Sequence, residues 1–124
     1  MSLYHYKAKV RRVIDGDSIV CDIDLGFGII LSERNVRLFG VDTCEIRSKD
    51  LAVKQFGKLA KQFVQRQLPR GMKVTLSTHL DKGDKFGRIL AEVIMPYGDS
   101  LANRIIDERW GVRYFGRSKE DLIE

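Results

Sequence analysis

Alternation between apolar and polar residues predicts that most of this chain forms β-strands, because successive side chains of a strand face opposite sides of a sheet. Near the start, Tyr4, Tyr6, Ala8 and Val10 alternate with polar residues, and the same period recurs further along. Five stretches are predicted to be strands, at about 4–11, 18–25, 29–39, 72–77 and 88–95. Polar residues interrupt the third stretch at 32–35, where we expect a bulge or a bend.

Between the third and fourth strands the apolar residues take up the spacing of a helix. They form one stripe, predicted to be core, which consists of Ala52, Phe56, Leu59, Ala60, Phe63 and Val64. Ser48 is the predicted N-cap, and Pro69-Arg70-Gly71 is expected to end the helix. A shorter helix is predicted from about 100 to 109, and residues 118–124 could begin a third.

Five strands, with the longest helix between the third and the fourth, favour an OB-fold. The predicted fold class is therefore α+β, mainly β: a five-stranded Greek-key barrel with two to three helices. The length of 124 residues suits one domain over residues 1–124. With 44% hydrophobic and 31% charged residues, the composition is that of a globular protein and unlike that of a disordered chain.

Acidic residues flank the two ends of the predicted hairpin between strands two and three. Gly26-Phe27-Gly28 is the natural tip, because glycine tolerates the backbone angles of a tight turn. If the hairpin folds symmetrically about Phe27, Asp17 lies opposite Arg37, and Asp42 and Glu45 follow just beyond the strand end. Three carboxylates close together repel one another, so the arrangement predicts a bound cation beside the guanidinium.

The formal net charge of +5 favours a polyanionic partner. Cys21 and Cys44 lack a Cys-x-x-Cys spacing, and two free thiols in a reducing compartment are preferred over a disulfide. The first residues contain no apolar segment typical of a signal peptide, so a cytoplasmic location is expected, with secretion open if a leader has been removed. No apolar run approaches the length of a membrane span. Separately, the protein is expected to be a monomer.

Three short motifs together resemble the signatures of the staphylococcal nuclease (thermonuclease-like) family. They are Val13-Ile14-Asp15-Gly16-Asp17-Ser18, Arg37-Leu38-Phe39-Gly40-Val41-Asp42-Thr43-x-Glu45 and Asp84-Lys85-Phe86-Gly87-Arg88. Each motif alone is weak, but the three occur in the family's order with similar separations. The resemblance covers roughly residues 4–117, and the family's fold is also an OB barrel with helices.

The resemblance implies a calcium site. Asp17 and Asp42 would be carboxylate ligands, Thr43 would offer its backbone carbonyl, and Asp15 would act through water or hold the loop. Oxygen ligands suit a hard cation such as Ca²⁺, and the sequence has no His/Cys set that suggests zinc.

The resemblance also implies a phosphodiesterase that hydrolyses DNA and RNA with low sequence specificity and leaves 3′-phosphate ends. Arg37 and Arg88 would stabilise the charge that develops on the phosphate, since guanidinium binds phosphate oxygens bidentately. Glu45 would be the general base for the attacking water, or would only orient that water.

Substrate contacts are implied as well. Lys85 and Phe86 align with a loop that touches a nucleotide phosphate, although the family often has Tyr in place of Phe86. Tyr114 and Phe115 could stack on a base or could pack between helix and barrel. Cys44 stands where the family usually has Pro, so the loop between Asp42 and Glu45 lacks a fixed φ angle.

Simpler interpretations exist for each motif. Asp15-Gly16-Asp17 could be a plain turn, Arg37 could be only the ion-pair partner of Asp17, and Asp42 and Glu45 could cap the helix. The alternative function is a non-catalytic OB-fold module that binds nucleic acid or a protein partner.

Overall fold

A closed β-barrel of five strands forms the body of the molecule. The computed structural model describes residues 4–79 and 88–114. The barrel strands are β1 (His5–Asp15), β2 (Ser18–Gly26), β3 (Ile29–Leu38), β5 (Lys73–His79) and β6 (Ile89–Ile94). They close in the order β1-β2-β3-β6-β5, with β3 and β6 parallel and all other pairs antiparallel. The predicted OB-type barrel and its five strands are confirmed.

The barrel core is built from the inward-facing residues of the period-two pattern. Val10, Ile19, Val36, Leu76 and Val93 are almost completely buried, and they come from all five strands. Each strand turns its polar residues outward, which is the arrangement that the alternation predicts.

Helix α1 (Leu51–Gln67) packs against the barrel with a narrower apolar face than the sequence predicts. Ala60, Phe63 and Val64 are buried, but Phe56 and Leu59 are 38% and 45% exposed, so their assignment to the core is wrong. The ring of Phe56 instead lies with its centroid 5.2 Å from that of Trp110. The second helix, α2 (Leu101–Asp107), is confirmed, and a third helix at 118–124 lies outside the described residues.

A second, two-stranded sheet was not predicted. Strand β4 (Gly40–Thr43) pairs antiparallel with β7 (Gly111–Tyr114), so Asp42 lies opposite Val112. Each strand has four residues, which is too short for a period-two pattern to stand out from chance. Strand β4 lies against α2 and buries Val41 in the core, and the backbone of Cys44 and Glu45, which follows it, meets α1 at Gly57.

Neither described helix is both long enough and apolar enough to cross a membrane.

The N-cap of α1 is Asp50 and not Ser48. The Asp50 carboxylate accepts hydrogen bonds from the backbone N–H groups of Ala52 (2.9 Å) and Val53 (3.3 Å). The Ser48 hydroxyl accepts one from the N–H of Asp50, 3.2 Å away, and so orders the residue that caps the helix. A carboxylate also suits the positive end of the helix dipole.

This assignment makes a testable distinction between the two positions. Asp50→Ala is expected to lower the free energy of unfolding by about 1 kcal/mol, because it leaves two N–H groups without their partner. Ser48→Ala should cost clearly less. Urea unfolding followed by circular dichroism measures both, and equal losses would contradict the assignment of the cap.

Candidate active site

The β2–β3 hairpin brings Asp17 and Arg37 together, but with a register one residue away from the predicted one. Arg37 pairs with Ser18, and the N–H of Leu38 donates to the carbonyl oxygen of Asp17 (2.8 Å). At the tip Gly26 pairs with Ile29, which is already one residue away from symmetry about Phe27. An extra residue in β2 at Leu25 and one in β3 at 32–33, where Glu33 has a φ of 52°, then shift the pairing in opposite directions. The expected bulge is therefore present, and it shifts the pairing.

Arg37 ties the turn between β3 and β4 together. Its Nη1 donates to the carbonyl oxygens of Leu38 (2.7 Å) and Val41 (2.8 Å), and its Nη2 donates to Asp42 Oδ1 (3.1 Å). The same Nη2 lies 3.7 Å from Asp17 Oδ2. The side chain is only 15% exposed, so the guanidinium is held in one place by four oxygens. Arg37 is thus an ion-pair partner of both acids and not of Asp17 alone.

Asp17 and Asp42 face one another across that nitrogen. Asp17 Oδ2 also accepts a hydrogen bond from the backbone N–H of Thr43 (3.1 Å), which joins the β1–β2 turn to β4. Burial and then the negative charge of Asp17 raise the pKa of Asp42, although Arg37 acts in the opposite direction. Because the negative charge of Asp17 disfavours ionisation of Asp42, a cation bound between the two carboxylates would stabilise their ionised forms.

Asp15 is the last residue of β1, two residues before Asp17. Burial and then the charge of Asp17 raise the pKa of Asp15, while Lys61 and Arg47 lower it. Its Oδ1 and the hydroxyl of Thr43 are both buried, and neither has a hydrogen-bond partner among the described residues. Buried polar atoms without partners are rare in native proteins, and water or a bound ion commonly satisfies them.

These residues fit an oxygen-liganded divalent cation. Two carboxylates, a nearby carbonyl and two buried polar atoms without partners are hard donors, and they contain neither imidazole nor thiolate. Within the described ranges, however, no three His, Cys, Asp or Glu side chains converge closely enough to hold a metal ion. Among the described residues, the expected convergence of three carboxylates is therefore reduced to the pair Asp17 and Asp42 around Arg37.

Glu45 lies on the exposed loop that joins β4 to α1. Its negative charge raises the pKa values of both Asp15 and Asp42, so it belongs to the same electrostatic cluster. It does not cap α1, because Asp50 does so. Its position leaves the carboxylate open to solvent at the edge of the acidic pair.

Arg88 and Tyr114 belong to two other parts of the chain that lie near the strand carrying Arg37. Arg88 directly precedes β6, whose parallel register pairs Ile89 with Val36, so its backbone runs beside the strand that carries Arg37. The ring centroid of Tyr114 lies 5.8 Å from the Arg37 Cζ, a cation–π contact at the end of β7. Tyr114 is thus placed beside the guanidinium. Lys85, Phe86 and Phe115 lie outside the described residues.

Both cysteines are free thiols, in agreement with the sequence-based preference. Cys21 is inside the barrel, and burial followed by the charge of Asp22 raises its pKa to about 12. Cys44 is half-buried and lies between Thr43 and Glu45.

The closed five-stranded barrel with this strand order is an OB-type barrel. It carries a polar site at its rim, where Arg37 and the two acids Asp17 and Asp42 lie at one end of the β2–β3 hairpin. A family model described as "Staphylococcal nuclease homologue" matches residues 35–121. The chain belongs to the staphylococcal nuclease family, as the three motifs predict.

Relatives with assigned names agree with this family. The chain is 38% identical over 94 residues to the thermonuclease of Staphylococcus intermedius, a match that covers 76% of this chain and 51% of the relative. It is 40% identical over 85 residues to the thermonuclease of Staphylococcus hyicus, covering 68% and 46%. Endonuclease YhcR of Bacillus subtilis is 27% identical over 115 residues, covering 89% of this chain but 9% of the relative. The chain therefore spans about half the length, or less, of these curated relatives.

The raised pKa of Asp42 predicts that this carboxylate destabilises the metal-free fold at neutral pH. A carboxyl group whose pKa is higher in the folded state stabilises the fold below its unfolded pKa, and this contribution is lost as the pH rises through the folded value. Asp42→Asn should therefore raise the melting temperature at pH 7 in EDTA, but only slightly, because the Asp42 side chain is 50% exposed and solvent screens much of the repulsion.

The gain should disappear below about pH 3.8, where the native side chain is protonated in both states. Glu92→Gln removes a charge on the outer face of β6 and is the matched control. A lower melting temperature for Asp42→Asn at pH 7 would show that the Arg37 ion pair outweighs the repulsion.

Proposed function

We propose that this chain is a calcium-dependent nuclease that hydrolyses phosphodiester bonds of DNA and RNA with little sequence preference. The observation that carries the proposal is the Arg37 guanidinium fixed at 3.1 Å and 3.7 Å from two acids, Asp42 and Asp17. Relatives named thermonuclease and endonuclease support the reaction class. The family also supports products with 3′-phosphate ends.

Asp17, Asp42 and the backbone carbonyl of Thr43 would hold the cation, with Asp15 behind them. When bound there, calcium would supply positive charge that offsets the repulsion between the two carboxylates and would favour binding of an anionic substrate. The unpartnered oxygen of Asp15 and the hydroxyl of Thr43 are suited to hold the water molecules that complete the site.

Arg37 acts as a prearranged donor to the phosphate. The carbonyls of Leu38 and Val41 already hold Nη1, so little rotational freedom remains to be lost when the substrate binds. The phosphate gains negative charge as water attacks, and a fixed guanidinium stabilises that charge more than it stabilises the ground state. Arg88, which directly precedes the strand beside Arg37, would supply the second guanidinium.

Glu45 accepts the proton from the attacking water. The new bond joins the water oxygen to phosphorus, and the bond between phosphorus and the 5′-oxygen breaks. The leaving 5′-oxygen takes up a proton, so a 5′-hydroxyl and a 3′-phosphate result. Tyr114, beside Arg37, is placed to stack on a base, and Lys85, Phe86 and Phe115 are proposed as further nucleotide contacts.

Metal dependence gives the first test. Plasmid DNA and single-stranded DNA should be degraded in the presence of calcium, and EDTA should abolish the cleavage until calcium is restored. The panel should include RNA as substrate, and magnesium and manganese in place of calcium. Metal-loaded protein that retards DNA in a gel but leaves it intact would favour the alternative, a non-catalytic OB-fold binding module.

Substitutions at Glu45 and Arg37 test the assigned roles. Glu45→Gln should lower kcat by about 10²- to 10⁴-fold, the usual contribution of a general base, while DNA affinity changes little. Arg37→Lys should lower kcat by roughly 10²-fold, because a single ammonium nitrogen lacks the planar guanidinium fork, in which Nη1 bonds the turn carbonyls while other N–H groups remain for the acids and the phosphate.

Two control variants make the same substitutions, Glu to Gln and Arg to Lys, at residues outside the site. Glu108→Gln alters an exposed residue after α2, and Arg34→Lys alters an exposed residue of the same strand as Arg37. Both should retain wild-type rates in single-turnover cleavage assays. Equal losses of rate and affinity at Glu45 and Arg37 would contradict the roles proposed for them.

A further inference from the structure

Three glycines from separate elements touch the short segment that carries Asp42, Thr43 and Glu45. They are Gly16 in the β1–β2 turn, Gly57 inside α1 and Gly111 at the start of β7. None of the three has a φ in the left-handed region, in contrast to Gly40 at +90° and four other glycines. Backbone freedom therefore does not explain their presence, and the missing side chain does.

Gly57 makes the most restrictive of these contacts. A Cβ at this position would lie 2.7 Å from the carbonyl oxygen of Cys44 and 3.0 Å from the carbonyl carbon of Glu45. Both are backbone atoms, so no side-chain rotation could relieve the contact. Glycine inside a helix lowers helix stability by about 1 kcal/mol relative to alanine. Gly57 nevertheless occupies the point where α1 meets the Cys44–Glu45 backbone.

Gly16 and Gly111 lie on the other sides of the same segment. A Cβ at Gly16 would come within 2.8 Å of Thr43 Oγ1, and one at Gly111 within 2.8 Å of the carbonyl oxygen of Asp42. Ala60, one turn after Gly57, lies 3.1 Å from the Cβ position of Gly16 and closes the gap between turn and helix. The segment is thus enclosed by backbone on three sides.

We infer that Gly57 is a positioning residue that sets the place of Glu45, and that Gly16 and Gly111 set the place of Thr43 and Asp42. This inference rests on the proposed function only for the role of Glu45 as base. It accounts for how the loop is held although Cys44 stands where the family usually has Pro. The restraint that a proline ring would give through φ is supplied here by contact with α1.

Gly57→Ala is the direct test. The added methyl group requires the Cys44–Glu45 backbone to move by about 0.7 Å to reach the 3.4 Å of ordinary contact. Because a misplacement of roughly 1 Å can cost about 10²-fold in rate, kcat should fall at least tenfold, with KM for DNA within twofold of wild type. Unchanged kcat would overturn the inference.

A double-mutant cycle separates positioning from a general structural role. If Gly57 acts through Glu45, Gly57→Ala should cost less than twofold in kcat when it is added to Glu45→Gln. A loss that repeats in full in that background would overturn the inference. Val64→Ala, a buried change on the same helix, controls for destabilisation and should leave kcat unchanged well below its melting temperature.

Calcium binding distinguishes the three glycines. In calorimetric titrations Gly16→Ala and Gly111→Ala should weaken calcium binding tenfold or more, whereas Gly57→Ala should change it less than twofold. An equal loss at Gly57 would contradict its assignment to Glu45.

If the wild-type protein cuts no nucleic acid, the nuclease proposal fails, but the displacement of the loop can still be tested. The backbone amide resonances of residues 44–46 in metal-free Gly57→Ala should then shift relative to those of the wild-type protein. Unshifted resonances would overturn the inference.

Discussion

The hydrogen bonds from Arg37 to the turn carbonyls hold the rest of the site in place. Nη1 joins the carbonyl oxygens of Leu38 and Val41 and so stabilises the turn between β3 and β4. Beyond this turn, Asp42 shares Nη2 of Arg37 with Asp17, and the N–H of Thr43 donates to Asp17. Without the guanidinium, the two carboxylates would repel one another and the turn carbonyls would lose their donor. A single side chain thus provides both the geometry of the turn and the charge that balances it.

The acidic residues of the site are in an electrostatically unfavourable environment. Asp15 and Asp42 both have raised pKa values, because partial desolvation and then the charge of Asp17 disfavour their ionised forms, although the Asp42 side chain is still half exposed. The barrel tolerates this because its interior is well packed and the acids lie at the rim, outside that core. Functional sites commonly combine such locally unfavourable charge with a rigid scaffold, and a ligand of opposite charge relieves the strain.

Much of the barrel could be predicted from sequence because its strands are long and alternate regularly. The proximity of Asp17, Arg37 and Asp42 could also be predicted, because the two ends of one hairpin meet. The register could not, because neither the pairing at the tip nor the irregularities at Leu25 and at 32–33 have a distinct sequence pattern. The pairing of β4 with β7 was missed for a related reason: it depends on contacts between distant segments, and propensity does not report these.

Strand β4 has a consequence for the order in which the protein matures. Its partner in the two-stranded sheet is β7, so Gly40 meets Tyr114, which is 74 residues away along the chain. The barrel strands β1, β2 and β3 can pair as soon as they leave the ribosome, but β4 has no ladder until residue 114 has been synthesised. The contacts of Arg37 with Asp17 and Asp42 can form early, but the β4–β7 ladder and the Tyr114 contact can only be added after most of the barrel wall has been synthesised.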